Sequence, residues 1–260
     1  MNLQTYLLKN SELPTLLTKC PPTRRITTEL FWQQQNLTHN THHVVVPSTL
    51  DWRAKGAVTP VKSQGSKCGS CAIFSAVSAV EGISKIRTGK LVSLSEQQIL
   101  DCSKPDGCKG SSMEDVFKYI IKNRGLTTEQ IYPYQQKKRG CNRQKGAKIA
   151  AKIKSYKRVA ATEGALLEAV AMQPVSVGID ANEHSFKFYK GGVYNGPCGT
   201  RIDHAVTVVG YGTTKQGMKY WLVKNSWGKH WGEGGYVRMH RGVGRAGLCG
   251  IATDASVPFA

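Results

Sequence analysis

Cys71 lies in the stretch GSKCGSCAIFS, residues 65–75, three positions after Cys68 and at the head of a run that reads as a helix. A thiol in a helix's first turn sits at the positive end of the macrodipole, which favours the thiolate. Such a nucleophile needs a base, and the base needs a group that orients it. His204 opens the apolar run RIDHAVTVVGYG, and Asn225 closes the next one in VKNSWG. Neighbouring strands carrying these two would present an imidazole and an amide to the helix end, a Cys/His/Asn set. Gln64, in the loop upstream, adds an amide that can join the Cys71 N–H in holding an oxyanion.

The two cysteines of CGSC admit other readings. A redox pair belongs just after a strand in a βαβ pattern, whereas the preceding WRAKGAVTPVKSQG is loop-like. A zinc site needs a second ligand pair, and Cys102 and Cys108 sit in a disulfide-like pattern instead. Nothing calls for a metal or an organic cofactor.

The elements that must position these groups change character along the chain. Ile73, Ala76, Val77 and Val80 follow a helical spacing within 71–87. Ser95 and Gln98 have capping-box spacing at the start of SEQQILDC. Residues 112–124 carry Met113, Val116, Phe117, Ile120 and Ile121 on one face, with Ser112 able to cap the start and Gly125 after the end. A short helix is expected from Thr162 to before Pro174. Strand-like runs follow at 174–180, 203–212, 219–228 and 235–240, separated by glycine turns. Helices first and strands later argue for an α+β protein in two lobes.

The chain has 260 residues, 36 Lys and Arg against 17 Asp and Glu, and a formal charge of +19. Residues 1–46 contribute +2 of this, so the body from Pro47 onward carries +17. The basic residues are scattered, densest in QQKKRG at 135–140, with no nucleic-acid motif. A solvated basic surface is the expected reading, with binding of an anionic partner as the alternative. No apolar run has the length that spans a membrane, and the amino terminus lacks a signal-like apolar stretch. NLT at 36–38 is a glycosylation sequon. Eight cysteines indicate an oxidising compartment. With Cys20 set aside in the polar amino-terminal stretch, seven remain, enough for three bridges and one thiol.

The chain resembles the papain-like cysteine peptidases, especially the cathepsin L group and its plant members, over about 47–260. DWRAKGAVTPVK, CGSC, SLSEQQILDC, YPY at 132–134, CGTRIDHAVTVVGYG, KNSWGKHWGEGGYVRM and GLCGIA carry the likeness. His204 and Asn225 lie 133 and 154 positions after Cys71, close to that family's signature spacing. The resemblance implies a mainly helical lobe at 47–155 bearing the nucleophile, an antiparallel, barrel-like lobe at 156–260 bearing His204 and Asn225, and a cleft between them. It makes 1–46 a residual prosegment. It implies bridges Cys68–Cys108, Cys102–Cys141 and Cys198–Cys249, leaving Cys71 as the catalytic thiol.

By the same resemblance Gln64, Cys71, His204 and Asn225 are catalytic, and Trp227 shields the His–Asn contact. Substrate would meet Gly110, Ser111, Met113, Gly178, Asp203, Ala205, Trp227 and Asp254. Met113, Gly178, Ala205 and Asp254 would line the S2 pocket, which takes the side chain two positions before the scissile bond. Leu or Phe is expected there, with Arg accepted through Asp254. Partners implied are protein or peptide substrates and cystatin-type inhibitors, with no nucleic acid or membrane, for a monomer in a vacuole, a lysosome or outside the cell. Three departures bear on catalysis: Ala72 in place of an aromatic, Lys67 as an extra residue between Gln64 and Cys71, and GCKGSS in place of GCNGG. They leave an active endopeptidase to be weighed against a homologue that binds peptides without cutting them.

Overall fold

A computed structural model describes residues 46–103 and 107–260. The expectations placed on Cys20, the 36–38 sequon and a residual prosegment lie outside the described residues. The first long element, α1 (Cys71–Thr88), ends at Gly89 in a left-handed conformation. Its residues from Cys71 to Ser84 are buried without interruption. The sequence spacing suggests a single apolar face, but α1 is covered on all sides because it lies between a group of helices and a sheet.

Helix α2 (Glu96–Cys102) is capped by Ser95 Oγ, which accepts from the Gln98 N–H at 3.0 Å. The Gln98 side chain does not complete a capping box. Its Oε1 accepts from the Thr127 N–H, and its amide donates to the Gly146 carbonyl. Helix α3 (Met113–Lys122) starts as the sequence predicts, with Ser112 Oγ accepting from Asp115 N. The short α4 (Arg143–Gly146) follows, and α5 (Glu163–Met172) is capped by Thr162. A last short helix, α6 (His184–Lys187), lies between strands.

The strands are β1 (Leu50–Asp51), β2 (Ser155–Arg158), β3 (Val175–Ile179), β4 (Val193–Tyr194), β5 (His204–Thr213), β6 (Lys219–Lys224), β7 (Tyr236–His240) and β8 (Ala255–Phe259). They form one sheet in the order β2-β8-β3-β5-β6-β7-β4, with β1 added on β5. All pairings are antiparallel except β4 with β7, so the sheet is mixed where an antiparallel one was expected. The architecture is α+β, with one buried cluster in the sheet half around Trp221, Phe186 and Val208, and a second around α1, α2 and α3. Ala205 of β5 packs into the helical cluster, directly after His204. Gly82 lets the two halves close up, since a Cβ there would come within 2.6 Å of the Pro174 ring.

The implied bridges are all present: Cys68–Cys108, Cys102–Cys141 and Cys198–Cys249. Between the halves lies a buried ionic seam. Lys62 Nζ reaches Glu81 of α1 at 3.2 Å, Glu96 of α2 at 2.8 Å and the Leu94 carbonyl at 2.9 Å. Thr59 Oγ1 donates to Glu81 and accepts from Lys224 Nζ of β6. Burial pushes the Glu96 carboxyl up against the pull of Lys62, and pushes the Lys224 ammonium down. Lys62→Met leaves two buried acids without their cation, and urea unfolding at neutral pH is expected to register a loss of about 3 to 5 kcal/mol. An unchanged midpoint would mean that the seam does not hold the halves together.

Candidate active site

Cys71 is the first residue of α1, after Ser70, whose side chain makes no cap and which is followed by no acid in the first turn. The positive helix end is therefore not neutralised by its own residues, which favours a thiolate at Cys71. One turn on, Ser75 docks α1 on the sheet. Its Oγ donates to the Val206 carbonyl at 2.6 Å, and its own carbonyl accepts from Thr207 Oγ1 at 3.2 Å. That contact brings the head of α1 against the start of β5, where His204 stands, and Cys71 shares a buried cluster with Ala205.

His204 is 5% exposed. Its Nε2 lies 2.8 Å from Asn225 Oδ1, which also accepts from the Ser226 backbone N–H at 2.8 Å. A backbone N–H can only donate, so it fixes the amide oxygen on this side. His204 Nε2 must then carry the proton, leaving Nδ1 as the basic nitrogen. Trp227 stacks on the imidazole with ring centres 4.7 Å apart and covers the pair, as expected. Trp227 is held in turn by edge contacts with Phe186 and Trp231. Burial pushes the His204 pKa down to about 4, and only the Asn225 hydrogen bond opposes it. The imidazole is thus neutral unless an anion beside it stabilises the charged form.

Cys71 is completely buried at the head of α1.

Gln64 is buried and held at three points. Its Oε1 accepts from Ser226 Oγ at 2.7 Å, its N–H donates to the Ser226 carbonyl, and its Nε2 donates to the Cys68 carbonyl at 3.3 Å. The amide NH2 carries a second hydrogen beyond the one given to Cys68. Lys67 is exposed, so the extra residue bulges into solvent while Gln64 stays tied to Cys68. Ala72 is buried in the helical cluster, and the aromatic support comes from Phe74, which meets Tyr134 edge-on at 4.8 Å.

Two positioning residues escaped the sequence reading. Ser226 grips both Gln64 and Asn225. Tyr134 Oη bonds Ser70 Oγ at 2.7 Å and donates to the Gln64 carbonyl at 3.1 Å, joining the two sides of the nucleophile. The only signal for them was their place in the YPY and KNSWG motifs, which says nothing of contacts.

Of the residues expected to meet substrate, Gly178 faces Ala205 across β3 and β5, one step from the Ile179–His204 pair. Met113 heads α3 beside Ser75 and Ser176. Gly110 has φ 97°, a conformation suited to glycine, and Ser111 Oγ is buried without a hydrogen-bond partner. Asp203 Oδ1 accepts from the Ala181 N–H at 2.8 Å, so this carboxylate also braces the turn after β3. Asp254 lies below Gly178, and its Oδ1 accepts from Arg158, a contact the sequence gave no reason to expect. Among the described residues there is no cluster able to hold a metal, and no helix is long and apolar enough to cross a membrane.

Known proteins share this chain's sequence and fold. The model of the papain family cysteine proteases matches residues 46–259. The senescence-specific cysteine protease SAG39 of Oryza sativa subsp. indica is 49% identical over 245 residues, covering 92% of this chain and 70% of that protein. Vignain of Ricinus communis is 54% identical over 82% of this chain, which spans 60% of vignain's length. The bromelain protease of Ananas comosus in complex with the E64 inhibitor superposes with a TM-score of 0.79 at 49% identity, covering 82% of this chain and 99% of that one.

The buried histidine makes a pH test. With a folded pKa of about 4 against an ordinary value of about 6.5, the unfolded chain takes the proton first as pH falls. In Cys71→Ala, where no thiolate can form, stability is expected to drop by up to about 3 kcal/mol between roughly pH 6.5 and pH 4. NMR of the imidazole should show it neutral until near pH 4. The reduced wild type should keep an imidazolium to higher pH, and identical titrations in the two proteins would exclude an ion pair.

Proposed function

Since the chain belongs to the papain family of cysteine proteases, we propose that it is an endopeptidase in which Cys71 attacks the carbonyl carbon of a peptide bond. The observation that carries this is the fixed tautomer of His204, buried beneath Trp227 and aligned by Asn225. Cys71 enters the reaction as a reduced thiol. The Cys71 proton then resides on His204 Nδ1, so that thiolate and imidazolium stabilise each other and offset the burial that otherwise keeps the ring neutral.

Attack forms the C–S bond and moves the carbonyl π pair onto oxygen. The second Gln64 amide hydrogen and the Cys71 N–H hold that oxyanion. His204 gives its proton to the leaving nitrogen as the C–N bond breaks, leaving a thioester. Water then attacks the thioester and yields its proton to His204, and the C–S bond breaks to return the thiolate. Asn225 keeps the ring in plane throughout, because Nε2 stays committed to its amide oxygen.

Gly178, Ala205 and Met113 support a bulky apolar side chain at the S2 position. At Gly178 a Cβ would come within 2.5 Å of Ile202, so the glycine is what lets Ile202 pack closely against β3. Gly110 and Ser111 offer the backbone edge along which an extended peptide pairs. The three bridges suit a vacuolar, lysosomal or extracellular setting, with peptide substrates, cystatin-type inhibitors and a monomeric state as the remaining parts of this reading.

Hydrolysis of a fluorogenic peptide with Leu or Phe at S2 is expected to require a thiol reductant and to vanish in Cys71→Ala. Gln64→Ala is expected to lower kcat by about 10²- to 10³-fold, as loss of one oxyanion donor does, with KM nearly unchanged. A reduced, folded wild type that cuts no peptide would sink the reading and leave a peptide-binding homologue.

A further inference from the structure

Arg158 ends β2, the edge strand, where it pairs with Ser256 of β8. Its guanidinium reaches away from the sheet to two acids on different halves of the molecule. Its terminal nitrogen donates to Asp254 Oδ1 at 2.9 Å, and its Nε lies 2.7 Å from Glu114 Oε1. The contact with Glu114 is charge pairing alone, because that buried oxygen gains no hydrogen bond. The three side chains are graded in depth: Asp254 is 8% exposed, Glu114 25% and Arg158 56%. The cation is therefore the outer member and the carboxylates are beneath it.

The acids are not placed at random. Asp254 Oδ2 lies 3.3 Å from where a Cβ on Gly178 would stand, and the Asp254 carbonyl accepts from the Gly178 N–H at 2.7 Å. Glu114 follows Met113 at the head of α3. Gly178 pairs with Ala205, the residue after His204, so Asp254 lies beside the residues that the peptidase reading assigns to the S2 recess, with Glu114 joined to it through Arg158. Two carboxylates here would attract a basic side chain, but the fork of Arg158 already engages both.

We propose, on the peptidase reading above, that Arg158 is a specificity-determining residue. Its guanidinium bridges Glu114 and Asp254 across the outer end of the recess, so that the recess takes a bulky apolar side chain and refuses a basic one. A substrate Arg or Lys entering the site meets acids already engaged by a cation of its own sign, a repulsive element of the kind that separates close substrates. Leu and Phe make no such demand and pack against the apolar stem of Arg158.

The test uses the reduced full chain and fluorogenic dipeptides that share their first-position residue and carry Leu, Phe or Arg at the second. In Arg158→Ala, kcat/KM for the Arg substrate is expected to rise about tenfold, the worth of a charge-assisted hydrogen bond, through KM rather than kcat. The Leu and Phe values should change by less than about threefold. The gain should disappear in Arg158→Ala combined with Glu114→Gln and Asp254→Asn, and be absent from Arg158→Lys, which restores the cation. Arg158→Met keeps the apolar stem and gives the same reading if the alanine variant does not fold. An unchanged Arg-to-Leu ratio in a variant that still cuts the Leu substrate overturns the role of Arg158 and leaves the peptidase reading intact. A wild type that cuts none of the three overturns both.

Discussion

Lys62 is the pivot of this molecule. One ammonium group ties an acid of α1, an acid of α2 and a backbone carbonyl, while Lys224 enters from β6 and shares Thr59 with the α1 acid. Removing these charges from water is costly, and only their mutual satisfaction makes it tolerable. The seam borders a cavity of about 20 Å3 that also touches Ser75 and Asn225. Because Lys224 immediately precedes Asn225, the contact that joins the halves also sets the height of the amide that orients His204. Catalytic geometry and assembly of the two halves thus depend on one set of interactions.

The site has a second layer of order that works by elimination of freedom. Ser226 donates its N–H to the Asn225 amide oxygen and its hydroxyl to the Gln64 amide oxygen. That leaves a single orientation for Asn225 and Gln64, and with it a single tautomer for His204. Tyr134 performs the same service on the other flank, spanning Ser70 and Gln64. The Lys67 bulge is harmless to this frame because it protrudes from a loop pinned on both sides. Ala72 is likewise accommodated, with Phe74, two residues on, and Tyr134 providing the aromatic contact.

Much of this was legible from residue order. The caps at Ser95, Ser112 and Thr162 and the four long strand runs appear where pattern puts them, and the three bridges where the family resemblance implies them. What escaped is tertiary. A helix buried on every side has no distinct apolar stripe, so α1 read as one-faced. The parallel pairing of the two-residue β4 with β7 leaves no periodic trace. Gln98 looked like half of a capping box because spacing cannot show that its amide is spent on Thr127 and Gly146. Asp254 looked like an unscreened charge because Arg158, 96 positions earlier, reaches it only through the pairing of β2 with β8.

The placement of the disulfides has a mechanical consequence. Cys68–Cys108 and Cys102–Cys141 close loops around the helices, and Cys198–Cys249 closes one in the sheet half. Among the described residues, none of these three bridges crosses the seam. Each half is therefore stapled within itself, while the boundary that aligns thiol and imidazole is held by side-chain contacts and a few backbone hydrogen bonds such as Gln64 N–H to the Ser226 carbonyl. Cooperative units of unequal strength open in order of strength. Gradual denaturation parts the halves along their weakest plane, so turnover fails while most of the helix and sheet signal persists, and restoring mild conditions lets two preformed bodies dock again.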